Sequence, residues 1–576
     1  MSQLTGFRRA IAFMAIILGY FMALLDTTIV NVTLPEMTRH FGTPMDDMSW
    51  IVNGYNLSFA VFLITASRIA DQFGRKRLFL IGTVLFVVTS ILCGLSTSVE
   101  AMVVFRVMQG LSAAIVVPVT IPLAADLFPK EKHGMVLGIW GAVASLAAAS
   151  GPTLGGILTD SIGWEAIYFV NVPIGIAAIA LAVPLIRESF DSSAGRKIDW
   201  LGMLTLSAAM FCLTYGLINA NDWGWDSAKL IGYMAAFLVF LILFFAVEFR
   251  TSEPMLPLWL LRILPFNGAV LTLVMIGAGI TASSYLMSYF LTGVMGKSIL
   301  QAGVTLSAMS LATMVVSAIA GAMSNKFGSR WFVTAGMAVL AVSVYLDGSL
   351  NAASSEWSVI WRLILTGAGI GLSVAPVMGA SIRNVPEEKI GIASGIANMS
   401  RALGSVLGVA ILVSVLNTAL SHYSTDAASK MRLQIESNAV LSAEVKQVML
   451  EQVGRMGREQ SSAGAKDAEK AFLLRLDAME TSRLSDADES AKPEIQAAFS
   501  QQRQELGQQL SRMNTEMQDA SVASFRRTFH AGGWLLLLGI PFALISDRRR
   551  GKIIASEPSM KNANPSSQSK NAWGVE

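Results

Sequence analysis

The stretch DQFGRKR (residues 71–77) recurs later in the chain as NKFGSRW (residues 325–331), and this repetition indicates a duplicated fold. Other landmarks recur at nearly the same offset: Gly74 and Gly328 are 254 residues apart, Arg106 and Arg362 are 256 apart, and Gly151 and Gly404 are 253 apart. Each copy of the stretch separates two long apolar runs. The sequence therefore predicts two similar halves with the same orientation.

The composition is typical of an integral membrane protein. Of the 576 residues, 53% are hydrophobic and 14% are charged, whereas soluble globular proteins carry about 25% charged residues. Many of these charges lie in residues 421–525, so that the rest of the chain consists of long apolar runs separated by short charged loops. Apolar runs of this length predict an all-α protein that crosses a membrane many times.

Fourteen runs reach the roughly 20 residues that a spanning helix needs: 11–34, 50–70, 78–96, 100–124, 134–159, 165–186, 199–219, 229–248, 266–292, 299–324, 331–349, 357–381, 391–420 and 527–546. Six belong to each half, and the seventh and eighth are inserted between the halves. Two halves related by an axis along the membrane normal are a transporter architecture, with a binding site between them.

The charges of the short loops predict the orientation of the helices. About twenty basic residues lie in the N-terminal segment and in alternate loops, beginning with GRKR (74–77) and ending with RRRGK (548–552), and about three lie in the opposite short loops. The positive-inside rule therefore places both termini in the cytoplasm. The predicted parts are an N-terminal six-helix half (1–187), two inserted helices with flanking loops (188–262), five helices of the C-terminal half (263–420), an extracytoplasmic helical segment (421–525), the last transmembrane helix (526–550) and a disordered cytoplasmic tail (551–576).

The extracytoplasmic segment is predicted to form a helical hairpin. Apolar residues recur at helical spacing in two parts of it, Val445 to Met456 and Ile495 to Met517, and turn-forming residues lie between them. The apolar faces allow either a docking surface or a solvated spacer, and the sequence leaves both open.

Asp26 is the main functional candidate, because it is a carboxylate within an apolar helix. Such a residue at bilayer depth costs at least about 2.5–3.5 kcal/mol, and it is expected to face the bundle interior or a water-filled cavity. Removal from water favours its neutral form, so it can exchange a proton. Arg106 is the predicted partner: the two residues lie about 12 Å and about 9 Å from the outer ends of their helices. A purely structural ion pair is the alternative.

Two further motifs lie near the ends of predicted helices. In SRIADQFGRKR (67–77), Asp71 and Arg75 are one helical turn apart and Gly74 allows a tight turn. In GPTLGG (151–156), Pro152 removes a backbone hydrogen bond, and Gly151, Gly155 and Gly156 allow close helix packing. Arg362 is the candidate for a role symmetric to that of Arg106.

These motifs, together with LLDTTIVNVTLP (24–35) and RVMQGLSAA (106–114), resemble those of the major facilitator superfamily. With fourteen helices, the chain is similar to its drug:proton antiporter branch of the EmrB/QacA type. The resemblance covers residues 5–420 and 525–550. It implies the major facilitator fold, proton coupling at Asp26 and Arg106, a cytoplasmic gate at Asp71, Gly74 and Arg75, and an antiporter hinge or seal at 151–156. Ser67 and Gln72 depart from the family pattern, which has glycine and a basic residue there.

The expected function is proton-coupled antiport that exports lipophilic, often cationic drugs or toxic compounds by alternating access across a bacterial inner membrane. An exporter of one endogenous metabolite, lipid or siderophore is one alternative, and a membrane scaffold that presents the hairpin is another. No enzymatic activity, cofactor or metal is expected, and the net charge of +3 does not suggest nucleic acid binding. Expected partners are small hydrophobic or cationic substrates, protons and membrane lipids, with a periplasmic adaptor and outer-membrane channel left open.

Overall fold

The computed structural model of the protein describes residues 6–547 except positions 44, 191–198, 252–253, 255, 257, 384, 387–388, 439–440, 442, 457–476, 478–479, 483 and 486–491. Within this part of the chain the regular structure is entirely helical. Fourteen of its helices are long and apolar enough to cross a membrane, which confirms the all-α membrane class. The predicted tail, residues 551–576, lies outside the described residues.

The first half contains six spanning segments. They are α1 (Gly6–Phe41), α2 (Met45–Phe73), α3 (Arg75–Gly94), α4 (Val99–Leu127), α5 (His133–Ser161) and α6 (Asn171–Leu185), the last preceded by a short helix at Ala166–Phe169. Two helices follow at the position of the predicted insertion, α7 (Trp200–Ile218) and α8 (Ala228–Glu248).

The second half repeats this pattern with longer helices at its end. It comprises α9 (Leu264–Tyr289), α10 (Ile299–Phe327), α11 (Ser329–Asp347), α12 (Glu356–Arg383), α13 (Ile390–Ser437), α14 (Ala443–Met456), α15 (Lys492–Leu537) and α16 (Ile540–Ile545). We call the end of the bundle with residues 74–77 and 130–132 the basic end. The opposite end, with residues 421–525, is the extension end.

The repeated stretch forms the same kind of turn in both halves. Gly74 and Gly328 have backbone φ angles of 116° and 86°, which favour glycine. Each turn starts a helix whose free amides bond to a carboxylate from the end of the same half. Glu188 Oε1 accepts a hydrogen bond from the amide of Lys76 (2.9 Å), and Asp547 Oδ2 accepts one from the amide of Ser329 (2.7 Å). An acidic group at a helix N-terminus is favourable, so a carboxylate stabilises both turns in the same manner.

The halves meet along four helix pairs, α5 with α10, α2 with α13, α5 with α12 and α4 with α13. Small residues allow the α5–α10 contact: a Cβ at Gly321 would lie 2.7 Å from the Cα of Gly138. Backbones this close permit packing without large side chains between them, as is common between membrane helices. The inserted α7 packs on α2 from outside, where Thr65 Oγ1 lies 3.4 Å from Ser207 Oγ.

The extension is built on two membrane helices that continue beyond the bundle. The predicted ends at residues 420 and 527 fall inside α13 and α15, which run through without a break. The predicted apolar faces bury each other in a separate core, whose members include Met431, Ile435, Val445, Met449, Val453, Phe499, Leu506, Leu510 and Met513. Because helical periodicity is the same inside and outside a membrane, the sequence predicted these faces but not the continuity.

Candidate functional site

Asp26 lies at the centre of a buried hydrogen-bond network in the first half. Its side chain is fully buried, and it forms an ion pair through Oδ2 with Nη1 of Arg106. The other oxygen, Oδ1, accepts hydrogen bonds from Gln109 Nε2 (3.1 Å) and Asn171 Nδ2 (3.0 Å). One carboxylate thus joins three helices, α1, α4 and α6.

Arg106 is held from several sides. Its Nε donates to the carbonyl oxygen of Ile51 on α2 (2.9 Å), and its Nη1 also donates to Gln109 Oε1 (2.7 Å). The guanidinium carbon lies 4.4 Å from the centre of the Tyr55 ring, at cation–π distance. Because only 1% of Arg106 is exposed, these contacts replace its water almost completely.

The Asp26–Arg106 ion pair connects α1 with α4 through opposite charges. When Asp26 takes up a proton, it loses its charge and with it most of its attraction for Arg106. A buried cation without its partner is unfavourable by about 3–5 kcal/mol, so the arginine must move or find water.

Sequence reasoning missed two members of the network. Gln109 follows Arg106 by three residues in RVMQG, so both side chains lie on one face of α4. Asn171 is a polar residue inside the apolar run 165–186, which is the same signal that identified Asp26. Neither signal could show that these side chains meet at one carboxylate, because that depends on how the helices rotate about their axes.

The expected symmetric partner in the second half lacks this environment. Arg362 is half-buried and donates to the carbonyl oxygens of Leu346 (3.3 Å) and Ser358 (2.6 Å) and to Ser349 Oγ (2.9 Å). Within the described residues it forms no ion pair with a carboxylate. Asp347, which sequence reasoning did not single out, is 1% exposed nearby, and its Oδ1 has no hydrogen-bond partner in the described part of the chain.

The residues of the expected gate cluster at the basic end. Arg75 Nε donates to Asp71 Oδ1 (2.8 Å), and both side chains are buried. The Asp71 carboxylate occupies the space where a Cβ on Gly391 would lie, at the start of α13. Ser67 Oγ donates to the carbonyl oxygen of Gly391 (2.9 Å). Ser67, where the family pattern has glycine, thus provides a hydrogen bond between the halves.

The glycines of GPTLGG have two different neighbours. Cβ atoms at Gly151 and Gly155 would overlap Thr28 and Ile29 of α1, within the same half and directly after Asp26. Gly156 faces the second half, where Leu300 lies 3.7 Å from the position of its Cβ. Pro152 belongs to the same helix, and its side chain is outside the described part of the structure. The motif thus fixes the distance between α5 and the segment that carries the carboxylate.

Metal ligation has no candidate among the described residues, since no group of three or more His, Cys, Asp or Glu side chains is close enough to hold an ion. Cys93 is buried beside the network, with its Sγ 3.8 Å from Gln109 Oε1.

The fold and the buried ion pair define a class of membrane transporter, and comparison with known proteins identifies it. Residues 16–409 match the model of the Major Facilitator Superfamily. The chain belongs to this family.

Its relatives carry names of drug resistance or export proteins. The chain is 35% identical over 404 residues to the tetracenomycin C resistance and export protein of Streptomyces glaucescens, covering 69% of this chain and 74% of that protein. It is 36% identical over 405 residues to the multidrug resistance protein Stp of Mycobacterium tuberculosis (70% and 75%). It is 28% identical over 428 residues to multidrug resistance protein 3 of Bacillus subtilis (74% and 83%).

A solved structure supports the fold alone. The crystal structure of the human organic anion transporter MFSD10 (TETRAN) matches with a TM-score of 0.52 at 15% sequence identity, covering 72% of this chain and 94% of that chain.

Proposed function

We propose that the protein exports hydrophobic drugs or other toxic compounds and that a proton gradient drives the export. The observation that carries the proposal is the fully buried Asp26 carboxylate, bonded to donors on two other helices. The names of the relatives support the drug class of the substrate. A membrane scaffold has no use for a buried carboxylate of this kind, because an intramembrane charge is unfavourable unless it serves a function.

The coupling of proton movement to substrate export depends on whether the Asp26 carboxylate is charged or protonated. In the structure the charged Asp26 holds Arg106, and the two halves are in contact at the basic end. A proton that reaches Asp26 from the extension end breaks the pair and frees α1 to move against α4. Release of that proton toward the basic end restores the pair. If substrate binds from the basic end when the proton has left and is released at the extension end before the next proton binds, each cycle of alternating access exchanges a proton for substrate.

The proposed orientation places the basic end in the cytoplasm of a bacterium, in its inner membrane, with both termini on that side. The loop charges support it. Contacts of Ser67 and Asp71 with Gly391 then close the cytoplasmic side. The extension between α13 and α15 would lie on the outer side, where it could meet an adaptor protein.

The test is transport by inverted membrane vesicles from a host without its own drug pumps. A panel of hydrophobic drugs, neutral and charged, is supplied with and without an imposed pH gradient. We expect uptake of at least one drug that depends on the gradient and disappears when a protonophore is added. Uptake that is identical with and without the gradient would contradict proton coupling, and no uptake of any drug would contradict export.

A further inference from the structure

The two inserted helices, α7 and α8, belong to neither repeat, and the export mechanism gives them no role. α7 contacts α2 of the first half and also α13 of the second half, so it lies across a seam between the halves. A short helix, Ala220–Trp223, connects it to α8 at the extension end and contacts α13 as well. The inserted helices can therefore respond when the halves move.

The contact between α7 and α2 runs along much of both helices. Near the extension end, the ring of Trp50 on α2 lies 5.6 Å from the ring of Tyr215 on α7. Thr65 Oγ1 lies 3.4 Å from Ser207 Oγ, about 22 Å further along α2. Because two helices in contact over about four turns cannot shift independently, α7 and α2 form one body.

Aromatic side chains hold the corner between α7 and α8, which comprises residues 219–227. The rings of Tyr215, Trp223 and Tyr233 lie 5.1–5.7 Å from one another. Asn219 Nδ2 donates to the carbonyl oxygen of Tyr215 (2.8 Å), and Ser227 caps the start of α8. Since Tyr215 also contacts α2, the corner is attached to the first half.

The corner contacts the second half through a side chain that bonds to the backbone of α13. Asn221 Nδ2 donates to the carbonyl oxygen of Ala410 (3.3 Å). Ala410 follows Ile390 by twenty residues, so this bond lies about 30 Å from the basic end. A helix carries a carbonyl oxygen at every residue, so a side-chain amide can exchange one carbonyl for another when the helix shifts along it.

The two ends of α13 thus meet the first half in different ways. At the basic end it contacts α2 directly, where Ser67 Oγ donates to the carbonyl oxygen of Gly391 (2.9 Å). At the extension end the corner reaches it from α2. When one half rocks against the other and the basic end opens, the outer parts of α2 and α13 approach each other. The contact of Asn221 with α13 must then change.

We propose that the inserted helices move with the first half as one body and that their corner shifts along α13 in each transport cycle. The moving contact is the one between Asn221 and α13, and the contact between α2 and α7 stays fixed. The inserted helices then bridge the outer part of the seam without locking it. This inference rests on alternating access in the proposed export function and assigns a role to helices that lie outside the repeat.

The test joins each contact covalently with a short, reducible thiosulfonate crosslinker. Asn221→Cys with Ser414→Cys links the corner to α13, because the carbonyl group of Ala410 points toward residue 414 of the helix. Thr65→Cys with Ser207→Cys is the matched control, since it links α2 to α7. We expect the first link to lower gradient-driven uptake by inverted vesicles at least tenfold, with recovery after reduction. The control link should change uptake less than twofold.

A measurement without drug separates this inference from the export function. Hydrogen–deuterium exchange of the backbone amides of residues 391–395, followed by mass spectrometry on the purified full-length protein, reports opening of the basic end. The link between positions 221 and 414 should slow this exchange at least threefold, and the control link should leave it unchanged.

Equal exchange with and without the 221–414 link overturns the proposal. So does a control link that slows exchange as strongly, since the inserted helices would then move relative to the first half. A protein that transports no drug contradicts the export function alone, and the exchange rates still decide between these outcomes.

Discussion

Arg106 and Arg362 occupy equivalent positions in the two halves, yet their surroundings differ. Arg106 is 1% exposed and holds a carboxylate, a glutamine and a backbone carbonyl deep in the bundle. Arg362 is half-buried and holds two carbonyls and serine side chains at the end of α11. Both halves thus have an arginine at this position, but of the two Arg106 alone forms an ion pair with a buried carboxylate within the described part of the chain.

The largest difference between the halves should come from replacing their carboxylates. Asp26→Asn cannot release a proton, so uphill export driven by a pH gradient should be lost while substrate exchange across the membrane persists. Asp26→Glu keeps a titrating group and should retain partial coupling. Asp347→Asn, the control in the second half, should remain coupled. Accumulation in inverted vesicles measures all three, and gradient-driven accumulation by well-expressed Asp26→Asn would remove the coupling role.

The next largest difference concerns the arginines themselves. Arg106→Ala leaves Asp26 buried without its cation, which should destabilise the protein by about 3–5 kcal/mol and abolish coupled transport. Arg362→Ala loses hydrogen bonds, at about 1 kcal/mol each, and a cation–π contact with Trp361, but it breaks no ion pair among the described residues, so transport should continue. Unfolding in detergent and vesicle transport provide the two measurements. Equal damage from both substitutions would show that the halves are functionally symmetric after all.

A structural ion pair makes a different prediction for the same site. The double variant Asp26→Asn with Arg106→Ala would then recover both stability and transport, since neither charge remains unpaired. We expect recovery of stability alone.

A moderate effect is expected at the repeated turn, where the first half has Asp71 and the second has Asn325. Asp71→Asn removes the ion pair with Arg75 at the contact with α13, so the basic end should open more often. Labelling of a cysteine introduced in place of Ser394 should become faster from the basic side, and turnover should fall more than substrate affinity. Unchanged labelling and turnover would mean that the hydrogen bond from Ser67 holds the contact without the charge.

The smallest effect on the membrane bundle should follow removal of the extension, which only the second half carries. Replacing residues 430–515 by a short Gly/Ser linker deletes most of a core that is separate from the bundle. The variant should still insert, and purified protein should transport at the wild-type rate, whereas efflux in cells should change if the extension meets a partner there. Unchanged drug resistance at equal expression would reduce the extension to a spacer.

Features that depend on local composition could be predicted from the sequence. Apolar runs of spanning length predicted fourteen helices, because the thickness of a bilayer sets how many consecutive residues must be apolar. The repeat gave two halves, and the depth of Asp26 and Arg106 along their helices predicted a pair, since rise per residue is constant.

Which side chains share a site could be seen only in the tertiary structure. Gln109 and Asn171 reach Asp26 because of how each helix is rotated and which neighbour it contacts. The continuity of α13 and α15 into the extension was equally hidden, since a helix that leaves the membrane changes its composition but not its period. Arg362 shows the same limit: its position repeats in the sequence, but a partner on another helix does not follow from that position.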